Sequence, residues 1–381
     1  MRVGLLTYGV ERPLSGVNRY TLELGTALKA AGECEMVYLT PYSQGPFRGL
    51  TNGHSWRLPM CSRLPALMLL GGPLMELAAD RLHLDLLHDP SGVSPFTVKH
   101  PRKSVKRVTT IYDAIPFRYP HVYPWLNNFV HRRYVPATLR NVDGIVTISK
   151  HARNDLARFL DVPERDWYIL PPAPHTRFEP VDKETARITT GRYGLTGEYV
   201  LSVGAQQARK NLPRLVEAFA LVRLALPRYR LVVVGPTLWR YSGLQQKINE
   251  LGLQDHVSIL GYVADEDLPA LYSAASLFAF PSLYEGFGLP VLEAMACRTP
   301  VVCSNSSSLP EVAADAAVLV DPTNTEALAE AMCSVLRDVD LKEELCRRGL
   351  QRAREFSWEK TARGTVAMYR ELLGQDNTKH G

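Results

Sequence analysis

Residues 281–296 read PSLYEGFGLPVLEAMA, and this stretch limits the fold of the chain most tightly. Ahead of it, Ser276 to Ala279 (SLFA) is a short, bounded apolar run, as in a strand buried within a parallel sheet. Behind it, Leu289, Val291, Leu292 and Met295 recur at helical spacing. Pro290 suits a first helical turn, where a missing N–H costs little. The spacing therefore predicts a strand, a glycine-bearing turn and a helix N-terminus. In open parallel sheets ligands bind at the carboxyl ends of strands. Gly286 and Gly288 let backbone approach a ligand, and the amides opening the helix favour an anion. Glu285 falls in the turn. Glu293 lies about two turns along the helix, at ~3.6 residues per turn, on roughly the same face.

That unit is one of many. Strand candidates are Val3 to Thr7, Met36 to Leu39, Leu84 to His88, Val108 to Tyr112 and Gly144 to Ile148. The pattern restarts at Tyr199 to Gly204, then Leu231 to Gly235, Val257 to Gly261, Pro300 to Ser304 and Ala317 to Asp321. Helical patterns lie between most of them, among them Val17 to Ala30 after a loop with Pro13, Ser15 and Gly16. Such alternation predicts an α/β fold with parallel sheets. At 381 residues the chain is too long for one ordinary core and suits two Rossmann-like domains. The proline-rich run Ile169 to Phe178 (ILPPAPHTRF) reads as the crossing between them. Residues 43–75 carry no assignable pattern.

Composition excludes several classes. Hydrophobic content of 46% and charge of 22% are those of a globular chain. No apolar run reaches the ~18 residues of a membrane span, and Met1 to Val10 lacks the build of a signal peptide. The six cysteines form no metal-like pair and read as reduced thiols. No carboxylate pair is read as a metal site, so neither metal nor cofactor is expected. No G-x-G-x-x-G fingerprint is present, which argues against an oxidoreductase.

Charge is unevenly spread. Residues 1–175 carry 21 Lys/Arg against 14 Asp/Glu, or +7, and residues 176–381 carry 23 against 25, or −2. The basic half suggests an anionic partner such as a membrane surface or a lipid diphosphate. Arg118 to Arg140 mixes aromatics with Arg132 and Arg133, which suits a membrane interface, an RNA or a plain solvated helix. No RNP-type motif accompanies it, so no nucleic acid is expected.

Two further places stand at strand ends. Asp113 follows VTTIY and either serves a ligand or caps the turn at Ile115-Pro116. Arg209 and Lys210 follow YVLSVG just before a helix, where cations beside helix amides would cradle a diphosphate. A charge-assisted bond there is worth ~1.5–3 kcal/mol.

The EGFGLPVLE run, with ARKN at 208–211, resembles the retaining GT-B glycosyltransferases, specifically glycosyltransferase family 4, and among them bacterial mannosyltransferases of surface polysaccharide synthesis. The resemblance covers nearly the whole chain and is stronger in its second half. It implies an acceptor domain over residues 1–174 and a donor domain over 175–355. It also implies a last helix over 356–375 that returns to the first domain. By resemblance, Glu285 holds the donor sugar and Glu293 the ribose, while Arg209 and Lys210 hold the diphosphate. Gly16, Phe287, Gly288 and Leu289 line the nucleotide-sugar site, and the backbone of Gly261 to Leu268 borders the nucleobase. Relatives have His-Asp where Tyr112-Asp113 stands: either the Tyr112 hydroxyl supplies the missing contact or none is made. Relatives also have glycine where Arg298 stands, so that turn is expected to be reshaped. The implied activity is transfer of a hexose, mannose from GDP-mannose favoured, to a glycan or lipid-linked acceptor. It would proceed without metal, in the cytoplasm or peripherally on the inner membrane face. The alternatives are a UDP-hexose-dependent glucosyltransferase and a GT-B sugar-binding or non-transferring enzyme.

Overall fold

In a computed structural model the chain divides into two units, Met1–Pro172 with Ser357–Gly381, and Ala173–Phe356. The structure describes residues 1–10, 16–41, 54–60, 63–98, 105–120, 125–160, 162, 167–237 and 243–375. The loop expected over Pro13 and Ser15, and Cys61, lie outside the described residues.

The first unit is built on seven strands: β1 (Arg2–Leu6), β2 (Glu35–Thr40), β3 (Ser55–Arg57), β4 (Leu86–Asp89), β5 (Lys106–Thr110), β6 (Gly144–Thr147) and β7 (Trp167–Ile169). They run parallel in the order β3-β2-β1-β4-β5-β6-β7. The two edge strands, β3 and β7, were not expected from the sequence. Each is three residues long and too short for a pattern of its own. The helix Gly16–Ala31 buries Tyr20, Leu24 and Leu28, the same periodic set that marks it in the sequence. Ser149 caps the helix Lys150–Leu160, its Oγ accepting from the Ala152 amide at 2.9 Å.

The last helix, Trp358–Leu372, is capped by Ser357, whose Oγ accepts from the Lys360 amide. It buries Trp358, Ala362, Val366 and Tyr369 within the first unit. The Trp358 ring meets that of Tyr20 edge-on at 5.3 Å, and the Tyr369 hydroxyl lies 2.6 Å from His88 Nδ1. Each such buried apolar side chain stabilises by roughly 1.5–3 kcal/mol, which is why a helix so late in the chain belongs to this core.

The second unit has six parallel strands: β8 (Tyr199–Val203), β9 (Arg230–Val234), β10 (Val257–Gly261), β11 (Leu277–Phe280), β12 (Val301–Ser304) and β13 (Val318–Val320). Their order is β10-β9-β8-β11-β12-β13. The chain turns back between β8 and β11, and in the first unit between β1 and β4. At such reversals the loops leaving adjacent strands diverge and open a crevice for a ligand. The turn at Arg298 is not reshaped, contrary to expectation. Arg298 takes the left-handed backbone of a glycine (φ 61°), and Thr299 N still bonds Ala294 O at 2.9 Å. A non-glycine residue there costs roughly 1–2 kcal/mol, which the closed helix end outweighs.

Candidate active site

The site of the second unit lies at the reversal between β8 and β11. After β8 the chain makes a tight turn at Ala208–Lys210 and enters the helix Leu212–Ala225. After β11 it turns through residues 281–288 into the helix Leu289–Ala296. Adjacent strands, with Leu277 beside Val200 and Phe278 beside Leu201, bring the two turns together. The Leu283 amide then bonds the Arg209 carbonyl at 2.7 Å. Glu285 lies between both cations: Arg209 Nη1 is 2.9 Å from Oε2, and Lys210 Nζ is 2.6 Å from Oε1. Burial by itself would raise the Glu285 carboxyl. The charges of Arg209 and Lys210, with the hydrogen bond from Lys210, outweigh burial and hold it well below the usual carboxylate range. Burial pulls the Lys210 ammonium down to about 8, against the attraction of Glu285. At neutral pH all three groups are charged.

The surrounding chain holds this cluster in place. Gly288 caps the second helix at φ 110°, and a Cβ there would stand 2.5 Å from Leu309 Cδ2, so conformation and space both require glycine. The Ser308 hydroxyl lies 3.0 Å from the Glu285 carbonyl and 2.7 Å from that of Phe287. The Glu285 amide bonds Ser307 Oγ at 3.0 Å. Lys210 Nζ also stands 4.5 Å from the centre of the Phe280 ring, a cation–π contact in a desolvated setting. Asn211, at φ 59°, ties the first turn to the second through Nδ2, bonded to the Pro281 carbonyl at 3.1 Å. The sequence reading missed Ser307, Ser308 and the tying role of Asn211. Serines 22 and 23 positions downstream of Glu285 give no signal without the fold.

Glu293 is 6% exposed, and the Tyr272 hydroxyl donates to its Oε2 at 3.0 Å. Of the other predicted residues, Leu289 opens the helix half-exposed. Phe287 is 5% exposed, its ring packed edge-on against Phe356 at 5.7 Å, so the backbone of Phe287, and not its ring, borders the site. Gly261 to Leu268 follows β10, with the Tyr262 side chain exposed and Asp267 held by Tyr193 and Arg192.

In the first unit, Gly16 opens its helix exposed, and a Cβ there would meet nothing within 4 Å. Tyr112 is buried and its hydroxyl donates to the Pro90 carbonyl at 2.6 Å. Its ring meets Tyr20 edge-on at 5.3 Å. Asp113 caps the turn, Oδ1 accepting from the Ile115 amide at 2.9 Å. Half-buried, it also lines a cavity of about 80 Å³ with Ser91, Tyr112 and His131, so capping and ligand contact are compatible. Beneath it, His88 is held neutral by burial, its ring between Tyr369 and Thr110. Among the described residues, no group of three or more His, Cys, Asp or Glu side chains could hold a metal ion. None of their helices is long and apolar enough to cross a membrane.

A family profile for glycosyl transferases group 1 matches residues 191–355, and one for glycosyltransferase family 4 matches residues 14–177. O-antigen chain mannosyltransferase B of Escherichia coli is 31% identical over 387 residues, across 98% of this chain and 100% of that protein. The chain belongs to the family 4, group 1 glycosyltransferases. The serotype-specific mannosyltransferase WbdA of E. coli is 30% identical to this glycosyltransferase over 73% of the chain, which spans 35% of that longer protein. Among solved structures, a sucrose-phosphate synthase from Thermosynechococcus elongatus superposes with a TM-score of 0.78 at 24% identity, covering 98% of this chain and 99% of that one. HepE of Anabaena, in complex with UDP-glucose, gives 0.73 at 18% identity, covering 97% and 100%. The fold of this glycosyltransferase is thereby GT-B, two parallel-sheet α/β units.

Proposed function

We propose that this glycosyltransferase moves mannose from GDP-mannose, with retention of anomeric configuration, onto a glycan or lipid-linked oligosaccharide at the inner face of the cell membrane. The observation that carries the donor site is the meeting of Arg209, Lys210 and Glu285 at the mouth of β8 and β11. A buried lysine and a partly buried arginine beside a helix N-terminus suit a diphosphate. They also supply the countercharge that a metal would, so the reaction runs without one. The donor diphosphate takes the cations from Glu285, whose carboxylate turns to the hydroxyls of the sugar. The bond between the anomeric carbon and the diphosphate oxygen breaks, the oxygen keeping the electron pair. The acceptor hydroxyl attacks from the same face, and its proton passes to the departing phosphate. Preorganised donors of this kind contribute ~2.7–4 kcal/mol each. Glu293 accepts the ribose hydroxyls, and Asp113 serves the acceptor side. Mannose is supported by the names of the two E. coli mannosyltransferases.

A second reading, glucose from UDP-glucose, is supported by the HepE complex. The inner membrane face is supported by Trp125, Phe129, Arg132 and Arg133, which follow at i, i+4, i+7 and i+8 along the helix Trp125–Leu139 and are all exposed. Calorimetric titration of chelator-treated protein with GDP, UDP and ADP is the test, with turnover of Glu285→Gln beside it. GDP is expected to bind without metal, and Glu285→Gln to lose at least a hundredfold in kcat with little change in GDP affinity. Binding of none of the three, or near-normal turnover of Glu285→Gln, would remove the reading.

A further inference from the structure

Glu293 and Tyr272 lie on separate helices, Leu289–Ala296 and Leu268–Ala274, and meet through their side chains' ends. Tyr272 is 0% exposed, and its ring is fixed edge-on between Phe178 at 5.9 Å and Phe278 at 5.4 Å. The Thr299 hydroxyl donates to the Tyr272 carbonyl at 2.7 Å, a backbone bond separate from the aromatic contacts that hold the ring. A side chain with so little freedom aims its hydroxyl in one direction, and Glu293 Oε2 receives it at 3.0 Å. A buried carboxylate takes several donors, and one that is rigid decides the plane in which the remaining lone pairs point.

We propose that Tyr272 is a positioning residue for the donor: it holds the Glu293 carboxylate in the orientation that receives the ribose hydroxyls of the nucleotide. This rests on the reading of Glu293 as the ribose acceptor. Tyr272 touches no reacting atom, so its effect falls on donor affinity and not on the rate of the bound complex.

The test is a titration in which the ligand carries the second change. Wild type, Tyr272→Phe and Thr299→Val are titrated with GDP, UDP and ADP and with their 2′,3′-dideoxy counterparts, using whichever base binds. Thr299→Val breaks a buried hydrogen bond to the same tyrosine without touching Glu293, and so reports loosening alone. Wild type is expected to prefer the ribonucleotide about tenfold or more over its dideoxy form. Tyr272→Phe is expected to lose most of that preference, binding the dideoxy form as wild type does, while Thr299→Val keeps it. With the sugar donor, Tyr272→Phe should raise KM several-fold and leave kcat within twofold. If wild type itself binds both forms equally, the ribose reading of Glu293 fails, and the proposal with it. If wild type discriminates and Tyr272→Phe discriminates as well, or Thr299→Val loses the preference to the same extent, Tyr272 has no positioning role and the ribose reading stands.

Discussion

Lys210 and Glu285, 75 positions apart in the chain, meet at 2.6 Å with more than nine-tenths of each side chain buried. A buried ion pair is costly to form and weak as a source of stability. Its persistence here is better understood as preorganisation. In the proposed donor site, the carboxylate would keep the two cations aimed until a diphosphate replaces it.

This arrangement makes donor binding sensitive to alkali. Lys210 titrates at about 8 in the empty site, because burial disfavours its charged form. Below that value the ammonium is already present, and the diphosphate pays nothing to protonate it. Above it, binding must first take up a proton, so GDP affinity should fall by up to ~10-fold per pH unit. Lys210→Arg carries a charge that does not titrate in this range, and its affinity should stay level from pH 7 to 9. The same slope in both proteins would assign the titration elsewhere.

Asp89 is the opposite case, a buried charge without such support. It is fully buried at the end of β4, and burial raises it to about 6, with the Ser91 amide bonded to Oδ1 at 2.8 Å. A raised carboxyl favours the folded state at low pH, and the advantage is lost as pH rises through about 6. At pH 7.5 the folded chain therefore carries a penalty of order 2–3 kcal/mol. Asp89→Asn keeps the acceptor for Ser91 and removes the charge. Its Tm should exceed that of wild type at pH 7.5, and the gap should narrow below pH 6 and close towards pH 4. A lower Tm at pH 7.5 would mean that the charge has a stabilising partner.

Gly288 is predicted to be irreplaceable. Gly288→Ala adds a Cβ 2.5 Å from Leu309 and holds a non-glycine residue at φ 110°. The conformational part costs ~1–2 kcal/mol before the clash is counted. Thermal melting should show a loss of at least that size, with weakened GDP binding because the Phe287–Leu289 backbone shifts. Unchanged stability would show that Leu309 yields freely.

The exposed face of the helix Trp125–Leu139 leads to a vesicle experiment. Trp125 and Phe129 are 78% and 55% exposed, with Arg132 and Arg133 on the same face. Each arginine near an anionic surface contributes about 1 kcal/mol, so Arg132→Glu with Arg133→Glu should weaken sedimentation with phosphatidylglycerol vesicles at least thirtyfold. Phosphatidylcholine vesicles should bind far less in either case. Equal binding by the double variant would move the contact off this helix.

Much of the fold was legible from periodicity alone. The strands around VTTIY, YVLSVG and LVVVG, the helix carrying Val291 and Met295, and the cap at Ser149 depend on neighbours in sequence, which patterning reports directly. Edge strands β3 and β7 were hidden because three residues carry no period. Likewise the Arg298 turn depended on a helix end that tolerates a left-handed arginine, which composition does not reveal.

The sequence by itself determined the identity of the chemistry: which turns follow which strands, that Glu285 and two cations lie at strand ends, and that Glu293 lies on the helix that follows. Only the tertiary structure decided that β8 lies beside β11, and hence that Arg209 and Lys210 hold Glu285 while Tyr272 holds Glu293. The physical reason is that strand order and buried side-chain pairing are long-range choices. They are made by the packing of the whole core and leave no local period in the chain.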